Sequence, residues 1–235
     1  MAYPSHRPVS AREALEADRE AVERAKVPAV VLMEHAGRGL ATLVASYPEA
    51  LEGVTVVAGP GGNGGDGYAC ARFLTGFGFR VRIVAAFGGA PASAATATER
   101  EWALAESIPH EVAAHARDRD VLARAIAGAG LVVDALLGVG LASPMRDPYS
   151  DWVRAMNDAD ALRVSADVPS GLHSDTGEPL PVAVRADVTA AMGMPKAGCF
   201  TEAGARHCGR IVEIDVGLPP SIHRRFLARD ARARG

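Results

Sequence analysis

Residues 54–67, with the sequence VTVVAGPGGNGGDG, decide the fold class of this chain. The first five residues are rich in β-branched side chains and predict a strand. The segment from Gly59 to Gly67 follows at once and contains six glycines in nine residues. A helix from Tyr68 to Leu74 and a strand from Phe79 to Ala85 are predicted next, which makes a β-loop-α-β unit.

The same alternation extends over the rest of the chain. The pattern predicts further helices at 29–46, 92–106, 117–127 and 149–156, and further strands at 131–137, 162–168, 187–192 and 210–216. An N-terminal helix follows the capping box that begins at Ser10, and Asp18 is the only polar interruption of its apolar face. Strands that alternate with helices predict a mostly parallel, doubly wound sheet, in a Rossmann-like three-layer α/β/α sandwich.

Length and composition limit the domain count and the function classes. With 235 residues, we expect a single domain with N-terminal helices over 1–50, the core over 51–220 and an Arg-rich tail over 221–235. A hydrophobic content of 49% and a net charge of -3 give no indication of a nucleic-acid or membrane-surface partner. No signal peptide or bilayer-spanning run is recognisable, and the three cysteines lack metal-ligand spacing, so we expect a cytoplasmic location.

The glycine-rich segment predicts a phosphate site. Glycines let a ligand approach the main chain closely, and the N-terminus of a helix favours an anion. An ordinary NAD-dependent dehydrogenase is disfavoured, because the stretch from Phe79 to Ala90 lacks the acidic residue that would bind the adenine ribose. A Walker loop is excluded because no Gly-Lys-Ser/Thr follows. The alternative is a tight turn without a ligand.

Acidic residues follow several predicted strands. Asp66, Asp134 and Asp167 should meet Asn63 and Ser170 at one edge of the sheet, because the carboxyl ends of parallel strands face one crevice. Oxygen atoms of these side chains suit a hard cation. The alternative is that each aspartate caps a helix or fixes a turn.

Two other kinds of residue are candidates for the site. Lys196 lies in a loop after a predicted strand and could contact a phosphate or a reacting oxygen, or be an exposed loop lysine. The histidines show no metal-ligand spacing, and most should be surface residues, with His35 and His173 nearest to a site.

Six motifs, in this order, resemble those of the YjeF N-terminal family, the NAD(P)H-hydrate epimerases. They are LMEHAG at 32–37, GPGGNGGDG at 59–67, VDALLGVGL at 133–141, DVPSGL at 167–172, KAG at 196–198 and IDVGLP at 214–219. The resemblance implies an isomerase that interconverts the R and S forms of hydrated NADH or NADPH. It also implies a bound potassium ion and a homodimer.

The resemblance also implies roles for particular residues. Asn63, Asp134 and Ser170 would hold potassium. The nucleotide would be contacted by Gly62, Asn63, Gly64, Gly65, Asp66, Gly138, Val139, Gly140, Leu141, Ala142, Ser143, Pro144 and Asp167. We expect Asp167 to give and retake a proton at the hydroxyl-bearing ring carbon, and Lys196 to stabilise developing negative charge.

The chain departs from the family pattern at several positions in or beside the expected pocket. The family usually has Asn at the positions of His35 and Gly62, Phe at Leu137, Thr at Val139 and Arg at Ser143. Several of these changes remove hydrogen-bonding groups. Two alternatives therefore stay open: a repurposed paralogue that isomerises, epimerises or cyclises another small metabolite, and a non-catalytic binding or dimerisation module.

Overall fold

A sheet of seven parallel strands forms the centre of the structure, a computed structural model that describes residues 6–86, 91–113, 119–141, 145 and 149–227. The strands are β1 (Val54–Ala58), β2 (Val81–Ala86), β3 (His110–Ala113), β4 (Leu131–Ala135), β5 (Leu162–Ala166), β6 (Val188–Met192) and β7 (Arg210–Ile214). Their spatial order is β3-β2-β1-β4-β5-β6-β7, and every neighbouring pair is parallel. The predicted fold class is confirmed.

Helices cover both faces of this sheet. They are α1 (Ala11–Glu23), α2 (Ala29–Val44), α3 (Gly62–Gly76), α4 (Ala94–Ala105), α5 (Arg119–Ile126), α6 (Tyr149–Asp158), α7 (Glu202–Cys208) and α8 (Pro220–Phe226), with short 3-10 turns at Pro48–Glu52 and Ala197–Phe200. One apolar cluster joins Leu40 and Leu74 to one face of the sheet, and another joins Trp152 and Met156 to the other face. The strands β1 and β4 are buried at every residue, as expected for a sheet with helices on both sides.

The glycine-rich segment is mostly helix, and the prediction that the helix begins at Tyr68 is wrong. Helix α3 begins at Gly62, so only Gly59 to Gly61 connect it to β1. A Cβ on Gly64 would lie 1.8 Å from the carbonyl oxygen of Gly59, and one on Gly67 would lie 2.7 Å from the Cβ of Ala135. These glycines let the helix pack closely on the turn and on β4.

Two elements were not predicted, and several bounds differ. Strand β3 at the sheet edge and the short helix α7 have no clear apolar period in the sequence. The strands β4, β5 and β7 end two residues earlier than predicted, because Leu136, Asp167 and Asp215 already belong to the loops that follow them. No described helix combines the length and the apolar character that a bilayer-spanning segment requires.

The N-terminal segment packs across the carboxyl edge of the sheet. Residue Val9 pairs with Lys196, and the predicted capping box of Ser10 starts α1. Helix α1 buries Ala14, Ala17 and Ala21, whereas Leu15, which was predicted to lie on the apolar face, is 51% exposed.

The C-terminal helix α8 packs beside α1. Its residues Ile222 and Phe226 are buried, whereas Arg224 and Arg225 of the same helix are exposed. Residues 228–235 lie outside the described part of the chain.

Candidate functional site

A cavity of about 770 Å³ opens at the carboxyl ends of β1, β4, β5 and β6. One wall is formed by Leu136 to Leu141 and Asp167, which follow two of these strands, and by the beginning of α3. The opposite wall comes from α1 and α2, with the side chains of Leu15, Val22 and Leu32. The cavity lies where the strand order reverses between β1 and β4, which is where ligands bind in doubly wound sheets.

The N-terminus of α3 forms part of this cavity. The first helical bond that the helix makes there runs from the N–H of Gly65 to the carbonyl of Gly61, so the amides of the preceding turn lack intrahelical partners. A Cβ on Gly61 or Gly62 would meet nothing within 4 Å. This is an open, glycine-lined helix terminus of the kind that binds anions.

The residues predicted to contact the nucleotide divide into three groups. Those that line the cavity are Gly62, Asn63, Asp66, Gly138, Val139, Gly140, Leu141 and Asp167. Gly64 and Gly65 are buried in packing contacts instead, and a Cβ on Gly65 would lie 2.4 Å from the sulfur of Met33. Ala142, Ser143 and Pro144 lie outside the described residues.

Asp167 and Lys196 form an ion pair on the cavity wall. Asp167 has a left-handed backbone with φ of 64°, directly after β5, and its Oδ1 accepts hydrogen bonds from the Lys196 ammonium and from the N–H of Met192. The ammonium also donates to the carbonyl of Met192 at 2.9 Å. Because Lys196 is 3% exposed and Asp167 is 8% exposed, the alternative of an exposed loop lysine is wrong.

Two more carboxylates face this pair. Burial raises the pKa of Asp66 well above its usual range, and the charges of Asp167 and Asp18 raise it further. Partial desolvation beside the cavity wall also raises the pKa of Asp18 to about 6, with the Lys196 charge opposing and the Asp167 charge adding to the shift, although the residue stays accessible to solvent. Asp18 was not among the predicted site residues. Its signal in the sequence was the single polar interruption of the apolar face of α1.

The residues predicted to hold a cation lie together behind the cavity wall. The carboxylate of Asp134 is fully buried and accepts hydrogen bonds from the hydroxyl of Ser165 at 2.8 Å and from the N–H of Ser170 at 2.9 Å. It also accepts from the Ser170 hydroxyl at 2.5 Å. The amide of Asn63 donates to the carbonyls of Leu137 at 2.8 Å and Ala166 at 3.1 Å.

This oxygen-rich group fits a potassium ion in its chemistry. The two ends of an amide have nearly the same shape, so a half-turn of the Asn63 amide presents its oxygen beside the Leu137 and Ala166 carbonyls. Carbonyl oxygens are the donors that replace the water shell of potassium in proteins. Within the described ranges, there is no group of three or more His, Cys, Asp or Glu side chains that could hold another kind of metal ion.

The histidines predicted to lie near the site are placed elsewhere. The ring of His35 packs on the turn after β7, with its Nδ1 3.3 Å from the carbonyl of Val216, and it does not line the cavity. The Nδ1 of His173 accepts hydrogen bonds from Asp175 and Thr176 within one turn. Of the positions at which the chain departs from the family pattern, Gly62, Leu137 and Val139 do line the cavity.

Comparison with known proteins identifies the family. The family model described as YjeF-related protein N-terminus matches residues 29–198. The chain belongs to this family. The matched span runs from α2 to Lys196 and Gly198, and thus includes every residue of the cavity wall except those of α1 and those that follow β7.

The relatives of this chain include both longer proteins and proteins of similar length. It is 40% identical over 217 residues to the bifunctional NAD(P)H-hydrate repair enzyme of Salinibacter ruber, and it spans 40% of that protein's length. It is 36% identical over 220 residues to the NAD(P)H-hydrate epimerase of Rhodopirellula baltica, of which it spans 88%. The crystal structure of yeast YNL200c superposes with a TM-score of 0.75 at 24% identity over 97% of this chain and 93% of the yeast chain, which supports the shared fold.

Proposed function

We propose that this protein is an NAD(P)H-hydrate epimerase, which interconverts the R and S forms of hydrated NADH and NADPH. The observation that carries the proposal is the buried Asp167–Lys196 pair on the wall of a nucleotide-sized cavity. The names of the curated relatives support the same reaction.

The cavity suits a dinucleotide in volume and in chemistry. A volume of about 770 Å³ lies within the range of small-molecule and cofactor sites. The helix terminus at Gly61 and Gly62 offers amide groups to the diphosphate. The apolar side chains of Leu15, Val22 and Leu32 on the opposite wall offer a surface for a ring system.

Inversion requires the hydroxyl-bearing ring carbon to become planar. If the hydroxyl is protonated and leaves as water, the lone pair of the ring nitrogen forms a C=N bond to this carbon. Water then adds from the other face and gives up a proton. Asp167 can carry that proton, and the hydrogen bond from Lys196 fixes the position of the carboxylate Oδ1 and stabilises its charge.

A direct test is the substitution Asp167→Asn, which keeps the shape of the side chain and removes its acid function. We expect the enzyme-catalysed interconversion of the two epimers, measured by chromatography, to slow by ~10²–10⁴-fold. Asp160→Asn is the matched control, because Asp160 is exposed and lies just before β5 at the other edge of the sheet. Equal rates for Asp167→Asn and the parent would remove Asp167 from the mechanism.

We further propose that potassium binds at Asn63, Asp134 and Ser170. The cation would neutralise the buried Asp134 carboxylate and hold the loop after β4 against α3. This would order the part of the cavity wall between Gly138 and Leu141. The test is a thermal shift with potassium chloride against an equal concentration of choline chloride, since a bound ligand raises the melting temperature by mass action.

The cellular location and the oligomeric state are also proposals. The three cysteines, Cys70, Cys199 and Cys208, are free and buried, which supports a reducing compartment such as the cytoplasm. A homodimer is checked by sedimentation, in which a monomer at micromolar concentration would refute it.

A second candidate function has one observation in its favour. The apolar side chains of Leu137 and Val139 line the cavity where the family usually has Phe and Thr. A pocket with this lining favours a repurposed paralogue that isomerises another small metabolite. Failure of hydrated NADH and hydrated NADPH to bind, while potassium still binds, would favour this candidate.

A further inference from the structure

The carboxylate of Asp18 projects from α1 into the cavity. On the same and the adjoining side of this helix, Ala14, Ala17 and Ala21 are buried, and Ala14 also lines the cavity. Asp18 remains solvent-accessible through the open cavity. Among the described residues, no hydrogen bond or ion pair of the fold uses its side chain, so the carboxylate serves no visible structural purpose.

Charged groups on other elements surround this carboxylate. Lys196 and Asp167 lie across the cavity on the loops after β6 and β5, and Asp66 lies in the second turn of α3. Asp167 and Lys196 are bound to each other, so neither is a permanent counter-ion for Asp18 or Asp66, and of these two acids Asp18 is the more exposed.

Two charged residues of α1 itself lie on the same cavity wall. Arg19 and Glu23, which are one turn apart on α1, both line the cavity beside Val22. They carry opposite charges near the rim, so their effects on Asp18 oppose each other.

Epimerisation needs two proton transfers of opposite direction. One group must give a proton to the departing hydroxyl, and another must take a proton from the water that adds on the opposite face. The Oδ1 of Asp167 accepts hydrogen bonds from the Lys196 ammonium and from the N–H of Met192, a geometry that suits this carboxylate to accept a proton rather than to give one first. A second carboxyl group, protonated at the start, is therefore required.

We propose that Asp18 is this second catalytic group and protonates the departing hydroxyl, while Asp167 takes the proton from the water that returns. The role rests on the proposed epimerase function. In the forward step the Asp18 O–H bond breaks, the carbon–oxygen bond breaks, water leaves and the C=N bond forms. In the return step water adds to the ring carbon and its proton passes to Asp167. Exchange of this proton through solvent restores both carboxyl groups, so atoms and charges balance.

The electrostatic surroundings of Asp18 agree with the role. Its pKa of about 6 leaves about a tenth of the groups protonated at pH 7, compared with about a thousandth for an ordinary aspartate. A bound substrate excludes water from the cavity, and this desolvation shifts Asp18 further towards the protonated form.

The experiment compares Asp18→Asn with Glu16→Gln in the full-length protein. Glu16 is exposed on α1 and does not line the cavity, so its substitution removes the same charge from the same helix outside the site. We expect Asp18→Asn to lower kcat for epimer interconversion at least 100-fold, to keep the Kd for hydrated NADH within about threefold, and to unfold at a melting temperature no lower than the parent's. Glu16→Gln should match the parent in all three measurements.

The pH dependence separates a catalytic role from a structural one. For the parent, kcat/KM above the non-enzymatic background should decline as the pH rises through about 6, because the free enzyme must carry the proton. Asp18→Asn should lose this limb of the profile, and Asp18→Glu should restore it together with part of kcat.

Each outcome bears on a different claim. If Asp18→Asn keeps its kcat, or loses kcat but keeps the limb near pH 6, Asp18 does not donate the proton, even though the parent is an epimerase. If the parent does not interconvert the epimers at all, the proposed function is refuted and the role of Asp18 is refuted with it.

Discussion

A close backbone approach in the glycine-rich segment makes a pair of substitutions informative. A Cβ on Gly64 would lie 1.8 Å from the carbonyl oxygen of Gly59 and 2.7 Å from its carbonyl carbon. A carbon–oxygen contact needs about 3.3 Å, so α3 or the turn after β1 must move by roughly 1.5 Å in Gly64→Ala. At the neighbouring Gly62, by contrast, a Cβ would meet nothing within 4 Å.

The expected changes in stability therefore have opposite signs. Overpacking costs about 1–3 kcal/mol, and the backbone-on-backbone contact places Gly64→Ala at the upper end of this range. For a domain of this size, a loss of about 3 kcal/mol lowers the melting temperature by roughly 6–12 °C. Alanine in place of Gly62 lies at the beginning of α3 and should stabilise the fold by up to about 1 kcal/mol.

Circular dichroism at increasing temperature measures both variants beside the parent. Urea unfolding provides the free energy of unfolding independently of the thermal scan. Equal melting temperatures of Gly64→Ala and the parent would refute the close approach of α3 to Gly59. A Gly62→Ala variant that melts far below the parent would refute the open space at that position.

Four more outcomes follow from the site. Lys196→Met should destabilise the fold by about 3 kcal/mol in urea unfolding, because it leaves the Asp167 carboxylate buried without its counter-ion. Asp18→Asn should be more stable than the parent by about 0.5–1 kcal/mol at pH 8 and equally stable near pH 4. The difference at pH 8 is small because water in the open cavity screens the Asp18 charge. The sign follows because the folded-state pKa of Asp18 is raised, so the parent loses stability as the pH rises from about 4 through 6. Gly62→Asn, which introduces the amide that the family usually has, should tighten the binding of hydrated NADH about fivefold in calorimetry, as one new hydrogen bond would. Asn63→Ala should abolish the thermal shift caused by potassium, and an unchanged shift would exclude this residue as a ligand.

Local pattern was enough to predict most of the sheet. The strands β1 and β4 are continuous apolar runs because both of their faces are covered by helices, and such runs are visible without any knowledge of the partners. Strand β3 was missed because its sequence, His-Glu-Val-Ala, has no alternation, and Val112 is exposed. Its place at the sheet edge depends on backbone pairing with β2. Helix α7 spans only seven residues, too few for a helical period to be recognised.

The sequence by itself determined the fold class and the edge of the sheet at which the site lies, because both follow from periodic patterns and from the order of strands along the chain. Only the tertiary structure decided what individual residues of that edge do. It placed Gly62 in the cavity and Gly64 in a backbone contact, although the two are identical in sequence terms. It also brought Asp18 towards Lys196 and Asp167. The physical reason is that Val9, just before α1, pairs with Lys196, which is far away in the chain. This pairing places α1 across the carboxyl edge of the sheet.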